Sequence, residues 1–585
     1  MLFSVLLIIF CFFNLFPPSL LAIDDFTISE DIEYLVSLSG QATVTHQITF
    51  TNNLSQIFPT EYKIEILGLS LSDLSASDDE GNILTDFSSK DGISTIKVKF
   101  NKANVGKNQN TTIKLIYRIA DLAKNKGKTW EIVLPKTFNK SSTKSQISLK
   151  TPSEFGSLSF ASVSAKFEDG LTHNITTFQN NSSSEILIIF GNYQLFDFSL
   201  NYHLKNPGLN IVTSEIALIP DTYSQSVFYK SISPSPKGIN IDSDGNWLAQ
   251  YEINPQEELD IIVTGQVKTG LRLPESSKNL ENYLEPQKFW PLSDPQIQSL
   301  LDKVTTPRSI YEYVISTLHY DYNRINNSSR LGAIEALNNP QNALCTEFTD
   351  LFVTLARAKG IPAREIQGFA YSSDQKIKPL NLNNDILHAW PEYYDIGQNS
   401  WKAIDPTWGK TTGGIDYFNN LDLNHITFVT HGLNSEYPLP AGSYQKDENT
   451  KSVFIDFATQ DLKYEQTFPR VYFQKNKLIL QNQSPNSQKN ITISSEKLSF
   501  SQELDTILPY SSLEINLPKM SFFKSLSSKN QKITFILTNS EGQNSTQSLN
   551  YPLHFLNLGL LIILSLIILS ISGIIITNIT HEKTS

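Results

Sequence analysis

Residues 345–359 read Cys345-Thr-Glu-Phe-Thr-Asp-Leu-Phe-Val-Thr-Leu-Ala-Arg-Ala-Lys359, and this stretch decides the fold of the central part of the chain. Apolar side chains recur in it at positions 348, 351, 352 and 355, which is the spacing of one helical face. Gly360 follows the last periodic residue and Pro362 prevents continuation, so the helix is predicted to end there. Cys345 therefore begins the helix, where unpaired N–H groups and the helix dipole stabilise an anion.

The chain has two cysteines, Cys11 and Cys345. Cys11 falls in an apolar N-terminal segment that we expect to be removed, so the mature chain keeps a single thiol. Such a chain can form neither an internal disulfide nor a paired-cysteine metal site. A lone cysteine is most often a buried apolar residue. Its position at a helix start instead favours the thiolate, which is the nucleophilic form.

A histidine base and a carboxylate that orients it are the usual partners of a catalytic thiolate. Among nine histidines, His388 begins a strand-like segment that runs to Tyr394. Asp405 follows the strand-like residues 401–404 and precedes Pro406. If these strands pair antiparallel, the start of the first lies beside the end of the second, close to Asp405. Each residue alone is more often structural, but with the helix-starting cysteine they form a specific catalytic hypothesis.

Five motifs surround these positions in order, namely Cys345-Thr-Glu-Phe-Thr-Asp-Leu-Phe, Ala358-Lys-Gly-Ile-Pro-Ala-Arg364, Gln367-Gly-Phe369, His388-Ala-Trp-Pro-Glu-Tyr-Tyr394 and Trp401-Lys-Ala-Ile-Asp-Pro-Thr-Trp408. Their order, spacing and flanking residues resemble the transglutaminase-like superfamily, from roughly Leu292 to Gly432. The resemblance implies a papain-like α+β fold in which the cysteine helix packs on an antiparallel sheet.

By that resemblance, Cys345 is the nucleophile, His388 the base and Asp405 the orienting acid. Two features depart from the family pattern. Members often have glycine two residues before the cysteine, where this chain has Ala343. Pro391 stands within the histidine strand, where it removes a ladder donor and favours an edge or a bulge. Neither departure removes a catalytic group.

The implied reaction is acyl transfer, in which the Cys345 thiolate attacks a peptide bond or a glutamine carboxamide and forms a thioester. The oxyanion needs hydrogen-bond donors, for which the backbone N–H of Cys345 and the side chain of Gln341 or Asn342 are candidates. Tyr320 and Trp390 are candidates for the wall of the site, although core packing is the commoner role of such residues. Water as the acceptor makes the enzyme a protease or amidase, and a lysine amine makes it a cross-linker. Hydrolysis is favoured because nothing specifies an amine pocket; no cofactor or metal is expected.

The fold class is predicted to be multidomain and mostly β. Apolar and polar residues alternate with period two in segments such as 42–50 and 93–100, and turn clusters separate these segments. Helix starts are predicted at Asp294-Pro295 and at Thr306-Pro307, where a capping residue precedes proline. We predict β-sandwich modules at residues 23–125, 126–270 and 450–551, and a transglutaminase-like catalytic domain at 285–435.

Both ends of the chain carry apolar segments. Residues 1–22 resemble a secretory signal peptide, with an uncleaved anchor as the alternative. Residues 553–577 are predicted to form a transmembrane helix, because the run from Leu553 to Ile576 contains no charged residue. His581 and Lys583 give residues 578–585 a slight positive bias, which indicates a cytoplasmic tail. The protein is therefore expected in the cell membrane, with a single pass and its bulk extracytoplasmic.

The formal net charge is −11, and lysine and arginine are scattered along the chain. Nucleic acid is therefore excluded as an expected partner, because phosphate binding needs a basic stripe. The expected partners are a protein or peptide substrate, the membrane, and cell-surface partners of the β modules. Two other classes stay open: a catalytically inert surface binding or adhesion protein with a transglutaminase-like scaffold, and a cell-wall-binding protein. The intact triad argues against the first, and the second rests on location alone.

Overall fold

The computed structural model divides the 585-residue chain into two compact units. One unit comprises Met1–Gln194 and Gly413–Leu423, and the other comprises Leu195–Thr412 and Asn424–Ser585. The residues that the structure describes are 25–67, 69–90, 92–102, 104–135, 142–179, 185–271, 279–325, 329–372, 378–379, 388–419, 421–447, 450–462, 467–474, 477–518, 532–550 and 565–574. The predicted signal peptide at 1–22 and tail at 578–585 lie outside them.

The first unit is built of β-strands. They are β1 (Phe26–Val36), β2 (Ala42–Asn52), β3 (Glu61–Leu67), β4 (Leu71–Asp78), β5 (Gly81–Asn82), β6 (Thr85–Lys90), β7 (Ile93–Lys99), β8 (Asn110–Ile119), β9 (Ala123–Lys126), β10 (Thr129–Leu134), β11 (Ser142–Pro152), β12 (Leu158–Ala161), β13 (Ala165–Glu168), β14 (His173–Gln179) and β15 (Ile186–Phe190), with a 3₁₀ turn at Ser153–Phe155. The sheet orders are β13-β14-β11-β1-β2-β8-β4-β5, β12-β15-β10-β9 and β3-β7-β6.

These three sheets share one apolar core, to which Ile48, Ile96 and Ile132 each contribute from a different sheet. Strand β2 illustrates how a strand contributes to this core. Its even-numbered residues from 42 to 50 are buried, as the period-two pattern requires. Strand β1 pairs in parallel with β11. The boundary predicted between residues 125 and 126 was therefore wrong, because both sides of it build the same sheet and the same core.

The second unit begins with a further β region. Its strands are β16 (Gln194–Lys205), β17 (Val212–Leu218), β18 (Gln225–Ser233), β19 (Gly238–Ile241), β20 (Trp247–Ile253) and β21 (Glu258–Thr269). One sheet has the order β18-β21-β16-β26, in which β26 is Val453–Phe457, and the other has the order β17-β20-β19. Because β26 pairs with β16, residues 453–457 do not belong to a separate C-terminal module, contrary to the predicted boundary at 450.

The central region combines helices with a second kind of sheet. The helices are α1 (Pro295–Gln298), α2 (Pro307–Thr317), α3 (Ala333–Asn338), α4 (Cys345–Ala358) and α5 (Pro406–Thr411), with 3₁₀ turns at Leu280–Leu284 and Tyr322–Arg324. The strands are β22 (Ala363–Ala370), β23 (His388–Asp395), β24 (Ser400–Ala403) and β25 (His425–His431), in the antiparallel order β24-β23-β22-β25. Helix α4 packs on β23 and β22, as predicted. The catalytic domain was predicted as the continuous range 285–435. Residues 413–423 belong instead to the first unit, so that range is interrupted.

The predicted helix starts are confirmed by their caps. The Asp294 carboxylate accepts a hydrogen bond from the N–H of Gln296, and the Thr306 hydroxyl accepts one from the N–H of Ser309. A proline follows each cap at the first helical position, where its missing N–H removes no helical hydrogen bond. Local sequence chemistry is sufficient to fix these two helix starts.

The edge strand β25 is held by side-chain amides from the β16–β21 region of the same unit. Gln225 Nε2 donates to the Thr427 carbonyl at 2.9 Å, and the Thr427 N–H donates back to Gln225 Oε1 at 2.8 Å. Asn246 makes the same pair with Thr430, at 2.9 Å and 2.7 Å. Each side-chain amide thus pairs with a backbone C=O and N–H of β25, as the main chain of a neighbouring strand would. Three apolar residues of the sheet β24-β23-β22-β25 join the core of that region, namely Phe369, Ile426 and Phe428.

The C-terminal region forms two sheets around a separate core. Its strands are β27 (Arg470–Gln474), β28 (Lys477–Gln481), β29 (Gln488–Ser495), β30 (Phe500–Ile507), β31 (Ser512–Ile515), β32 (Lys532–Thr538) and β33 (Asn544–Asn550), in the orders β27-β28-β31 and β30-β29-β32-β33. Residues 565–574 are helical, whereas 553–564 and 575–577 of the predicted transmembrane helix lie outside the described residues. Within the described part of the chain, no helix reaches the length and apolarity needed to cross a bilayer.

Candidate active site

Cys345 is the first residue of α4, and its side chain is buried, with 1% of its surface exposed. The N–H of Leu344 donates to Glu347 Oε2 at 2.8 Å, so the carboxylate of the third helical residue closes the helix start. The first-turn N–H groups and the helix dipole therefore act at the position of the thiol. The predicted placement of the cysteine at a helix N-terminus is confirmed.

The Glu347 carboxylate is itself buried close to the start of α4. It also accepts from the N–H of Leu331 at 2.8 Å, and Arg324 Nη1 lies 3.2 Å from its second oxygen. A buried negative charge at this place would disfavour a thiolate. The Arg324 guanidinium pairs with that charge and so offsets it.

His388 and Asp405 form a buried hydrogen-bonded pair. His388 Nε2 lies 2.9 Å from Asp405 Oδ2, and both side chains are fully buried. Asp405 is also the N-cap of α5, where its Oδ1 accepts from the N–H of Trp408 at 3.0 Å. One oxygen thus fixes the carboxylate to the helix while the other holds the imidazole. The predicted antiparallel pairing of β23 with β24 is confirmed and brings the two residues together.

Pro391 lies in the middle of β23, which has β22 on one side and β24 on the other. The expected bulge is absent, since Pro391 pairs with Glu365 in an unshifted register. The proline stands just past the last β23–β24 pair, and its carbonyl accepts from the N–H of Ile404 at 3.1 Å. Its missing N–H therefore falls where the ladder with β24 ends.

The contact between His388 and Asp405 shifts the pKa of each residue in the direction expected of an ion pair. Burial lowers the pKa of His388, but the charge and hydrogen bond of Asp405, with a smaller contribution from Cys345, raise it to about 9. Burial raises the pKa of Asp405, but His388 first and His425 second lower it to about 2. The imidazole is therefore protonated and the carboxylate ionised at neutral pH.

Asp405 holds Nε2 of His388, so Nδ1 is the ring nitrogen that remains. Nδ1 is buried and has no formed hydrogen bond with any residue that the structure describes. The sulfur nevertheless contributes to the pKa of His388 through hydrogen bonding and charge. The influence of Cys345 on this pKa indicates that its thiol lies near the imidazole.

A second histidine contacts the same carboxylate, and the sequence did not reveal it. His425 begins β25, and its Nε2 lies 3.5 Å from Asp405 Oδ2. It reaches the site because β25 pairs with β22, with Ala370 opposite His425, rather than with β23. The only available signal was a histidine at the start of an apolar strand-like run, which does not indicate a partner.

His388, Asp405 and His425 are also the described residues that could hold a metal ion. One ligand atom from each lies within 4.8 Å of the others, and all three residues are buried. Two imidazoles and a carboxylate are ligands that Zn²⁺ accepts. A cation would, however, have to replace the 2.9 Å hydrogen bond between His388 and Asp405. We therefore assign the three side chains to hydrogen bonding.

Aromatic rings enclose the two imidazoles. The Trp408 ring stacks on His388, with centroids 4.9 Å apart and planes at 21°. Trp390 meets His425 edge to face, at 5.0 Å and 81°, and its centroid lies 5.9 Å from that of His388. The predicted wall residue Trp390 is thus adjacent to the His388 imidazole. This packing fixes the plane of the ring and excludes water from the hydrogen bond with Asp405.

The sequence of this region matches a family model. Residues 292–406 match the model described as the transglutaminase-like superfamily. Residues 292–406 are a transglutaminase-like domain. The match includes Cys345, His388 and Asp405 and stops before His425.

Solved structures give weaker likenesses. A protein from Cytophaga hutchinsonii, described as a candidate cysteine protease, is 15% identical with a TM-score of 0.30, over 46% of this chain and 98% of that one. The periplasmic domain of TgpA from Pseudomonas aeruginosa is 16% identical with a TM-score of 0.20, over 37% and 90%. An M1 zinc metallopeptidase from Deinococcus radiodurans is 12% identical with a TM-score of 0.21, over 32% and 45%. These scores carry no argument about function. No curated protein matches the chain.

The other predicted site residues of the transglutaminase-like domain lie around the start of α4. Gln341 is exposed, and its Nε2 lies 3.1 Å from His319 Nδ1, so the amide is engaged outside the triad. Asn342 is half-buried, and its carbonyl accepts a hydrogen bond from Arg324. Tyr320 is buried and forms a backbone bridge with Ala343.

A buried ionic network ties the cysteine helix of the transglutaminase-like domain to its sheet. Arg330 bonds Asp350 of α4, with Nε 2.9 Å from Oδ2, and its Nη1 lies 2.9 Å from Glu365 of β22. His431 Nδ1 lies 2.9 Å from the same Glu365 oxygen. Burial raises the pKa of Asp350 to about 7, against the opposing effect of Arg330. Burial also acts to raise the pKa of Glu365, but Arg330 and His431 lower it to about 2. No sequence pattern indicates this network, which positions α4 over the sheet.

Gly368 marks a close backbone approach beside His388. It lies opposite His388 in the β22–β23 ladder. A Cβ at Gly368 would stand 1.9 Å from the carbonyl oxygen of Ile426 in β25. Because that neighbour is backbone, a side chain would push β25 and its His425 away from β22. The glycine in the Gln367-Gly-Phe369 motif is therefore required by packing.

Proposed function

We propose that this chain is a cysteine acyl-transfer enzyme, with Cys345 as nucleophile, His388 as general acid and base, and Asp405 as the orienting carboxylate. One observation carries the proposal: the 2.9 Å bond of His388 to Asp405 leaves the opposite imidazole nitrogen to a thiol at a helix N-terminus. The transglutaminase-like family of residues 292–406 supports the same roles.

In the first half of the reaction, the Cys345 thiolate attacks the carbonyl carbon of a peptide bond or a glutamine carboxamide. A C–S bond forms and the carbonyl becomes a tetrahedral oxyanion. His388 gives its Nδ1 proton to the amine nitrogen, the C–N bond breaks, and a thioester remains on Cys345. Asp405 stays ionised throughout and holds the imidazole in orientation.

In the second half, water attacks the thioester carbonyl. Neutral His388 takes a proton from that water, the C–S bond breaks, and the sulfur leaves as a thiolate beside the regenerated imidazolium. The sum is amide plus water giving carboxylic acid plus amine. Hydrolysis is favoured over cross-linking because no feature of the sequence specifies a pocket for a lysine amine.

Thiol labelling tests the proposal without a known substrate. The full chain is treated with iodoacetamide near pH 7, and alkylation of the Cys345 peptide is followed by mass spectrometry. We expect alkylation faster than that of an ordinary thiol, and a fall of roughly tenfold or more in His388→Ala, because the imidazolium sustains the thiolate. Slow labelling that is indifferent to His388 would contradict the proposal and support an inert surface binding or adhesion protein.

The substrate is then sought among peptides that the full chain cleaves or cross-links in a mixture of surface proteins. Cys345→Ala is the matched control, since it removes only the sulfur. Products with a new carboxyl terminus, or with glutamine converted to glutamate, support hydrolysis. Glutamine–lysine cross-links would instead show that a lysine amine is the acyl acceptor and that the enzyme is a cross-linker.

We also propose that the protein is an extracytoplasmic membrane protein with β-sandwich modules, anchored through residues 553–577. The uncharged sequence of that segment supports an anchor, and its residues 565–574 are helical. Extraction of membranes at alkaline pH tests this proposal. Protein that stays in the membrane pellet supports an anchor, and release into the supernatant would contradict one.

A further inference from the structure

Three buried ligand atoms lie close together in the candidate active site. His388 Nε2 lies 2.9 Å and His425 Nε2 lies 3.5 Å from the same oxygen, Asp405 Oδ2. All three atoms lie within 4.8 Å of one another. In a tetrahedral zinc site with bonds of about 2.0–2.2 Å, neighbouring ligand atoms stand about 3.4 Å apart. The two distances to Asp405 Oδ2 lie on either side of that value, so small side-chain movements bring the atoms to the spacing of zinc ligands.

Each of these side chains is held by a different element of the second unit. His388 begins β23, His425 begins β25, and Asp405 is the N-cap of α5. Asp405 Oδ1 accepts a hydrogen bond from the N–H of Trp408 at 3.0 Å, so Oδ2 is the oxygen that meets the two imidazoles. The Trp408 ring packs against both of them, with centroid distances of 4.9 Å to His388 and 4.8 Å to His425. Surrounding groups that orient the ligands in this way strengthen metal binding.

A proton and a metal ion are alternative occupants of the space between these atoms. The hydrogen bond of His388 Nε2 to Asp405 Oδ2 describes the site with the proton in place. A metal ion binds only a deprotonated nitrogen, so each ion that enters displaces one proton. Two imidazoles and a carboxylate suit zinc and its neighbours in the transition series, whereas Mg²⁺ and Ca²⁺ prefer oxygen ligands. The ligand set therefore favours a transition-metal ion.

We infer that His388 Nε2, Asp405 Oδ2 and His425 Nε2 form an inhibitory site for a divalent transition-metal ion such as Zn²⁺. The inhibitory part of this inference rests on the proposed function. A bound ion takes the lone pair of His388 Nε2, and one proton leaves that nitrogen. Loss of the remaining Nδ1 proton would then produce an imidazolate, which is too basic to form near neutral pH. His388 can therefore no longer give a proton to the leaving amine, and Asp405 no longer orients the ring.

Zinc binding is measured first in the full chain carrying Cys345→Ala, which has no active-site thiol to bind the ion or to react. A chromophoric zinc indicator competes with the protein for ZnCl₂ and gives the dissociation constant, and MgCl₂ is the control salt. We expect one zinc ion per chain, and binding at least about tenfold weaker when His425→Ala is added, because one of three ligands is lost. His203→Ala is the matched control variant, since this histidine also lies beside a carboxylate, with Nδ1 2.6 Å from Asp260 Oδ1.

Inhibition is measured in the unmodified chain as the rate of p-nitrophenyl acetate hydrolysis, and each protein is compared with its own zinc-free rate. Because the imidazoles are buried, incubation with ZnCl₂ continues until the rate is constant. We expect inhibition that EDTA reverses, and a half-inhibitory concentration at least about tenfold higher in His425→Gln. The glutamine keeps an N–H donor near Asp405 but is a poor zinc ligand, so this variant also serves in the binding assay if His425→Ala does not fold.

Weaker binding and weaker inhibition in the His425 variants, with both unchanged in His203→Ala, support the inference. Zinc binding that is absent or lost in Cys345→Ala would overturn it, as would binding that is indifferent to His425. Failure of the proposed function is a separate result, because zinc binding is scored in a chain that lacks the nucleophile. In that case iodoacetamide labelling of Cys345 would be slow and indifferent to His388→Ala, and the inhibitory role would fall even if zinc binds.

Discussion

Two regions of this protein bury a histidine beside a carboxylate, and they differ in what surrounds the pair. In the first unit, His46 Nε2 lies 3.8 Å from Glu30 Oε2, with side chains 1% and 2% exposed. In the transglutaminase-like domain, His388 Nε2 lies 2.9 Å from Asp405 Oδ2, with both side chains fully buried. Burial and proximity are thus common to both pairs and do not by themselves make a catalytic site.

The two pairs differ in the hydrogen bond between their members, in what fixes the carboxylate, and in the presence of a nearby thiol. Neither ring nitrogen of His46 makes a hydrogen bond with a described residue, and the histidine lies in an interior strand between β1 and β8. Asp405 is instead held as the N-cap of α5, and Cys345 lies near enough to His388 to affect the pKa of its imidazole. The pair of His388 and Asp405, which we propose to be catalytic, differs from the pair of His46 and Glu30 in the groups that hold it and not in its residue types.

Removal of each histidine gives the largest expected contrast. His388→Ala should lower the hydrolysis of p-nitrophenyl acetate by roughly 10²- to 10⁴-fold, because the proton donor and acceptor is lost. His46→Ala is the matched control, and in the folded fraction we expect a change of less than about twofold, since His46 adjoins no nucleophile. Similar losses in both variants would show that the two pairs differ in packing alone.

The carboxylates give the next contrast. Asp405→Asn should lower the rate of p-nitrophenyl acetate hydrolysis by roughly 10²- to 10⁴-fold, since an amide neither orients the imidazole correctly nor stabilises its charge. The pKa of His388 should also fall from about 9, because burial then acts without the opposing carboxylate. The alkaline limb of the pH–rate profile would therefore move to lower pH.

Glu30→Gln is the control for that experiment, because it removes a buried carboxylate without touching the triad. We expect the alkaline limb to stay near pH 9 in this variant, as in the unmodified chain. An alkaline limb that stays in place in Asp405→Asn would mean that His388 is not the titrating group.

The pair should also make folding stability depend on pH, to a smaller extent. The folded pKa of His388, about 9, exceeds the ordinary value of 6.5, so its contribution is complete below pH 6.5 and is lost as the pH rises through 9. The folded pKa of Asp405, about 2, is below the ordinary 3.8, so its contribution is present above 3.8 and is lost as the pH falls through 2.

We therefore expect the unmodified chain to exceed Asp405→Asn in stability at pH 6 by on the order of 1–3 kcal/mol. That excess should shrink by pH 10. Calorimetric unfolding of both proteins at the two pH values measures it. An excess that is equal at pH 6 and pH 10 would contradict the ion pair.

His425 should have the smallest effect. His425→Ala removes a contact of 3.5 Å, so we expect a rate loss of about tenfold or less, equivalent to about 1.4 kcal/mol at most. His425→Gln, which keeps an N–H donor, should recover part of that loss. Steady-state hydrolysis of p-nitrophenyl acetate measures both variants. A loss as large as that of Asp405→Asn would instead make His425 an equal member of the catalytic group.

The triad was predictable because each of its residues carries a local signal. The helix start of Cys345, the strand of His388 and the cap position of Asp405 can each be read within a few residues. The pairing of β23 with β24 then follows from their short separation in the chain. His425 could not be found, because it reaches Asp405 through the pairing of β25 with β22.

The wrong domain boundaries have the same physical origin. The parallel pairing of β1 with β11, and the pairing of β16 with β26, join segments that lie far apart in the sequence. Period-two alternation predicts a strand but does not name its neighbour. The ionic network of Arg330, Asp350 and Glu365 was missed for that reason, since its members become neighbours only when α4 packs on the sheet.

The amide hydrogen bonds that Gln225 and Asn246 make with β25 have a practical consequence for recombinant expression. A truncated protein limited to residues 285–435 would lack both side chains, and the main chain of β25 would be bare to solvent. Bare edge strands recruit other molecules into intermolecular sheets and promote aggregation. A soluble fragment for enzymology should therefore start no later than Leu195, the first residue of the second unit.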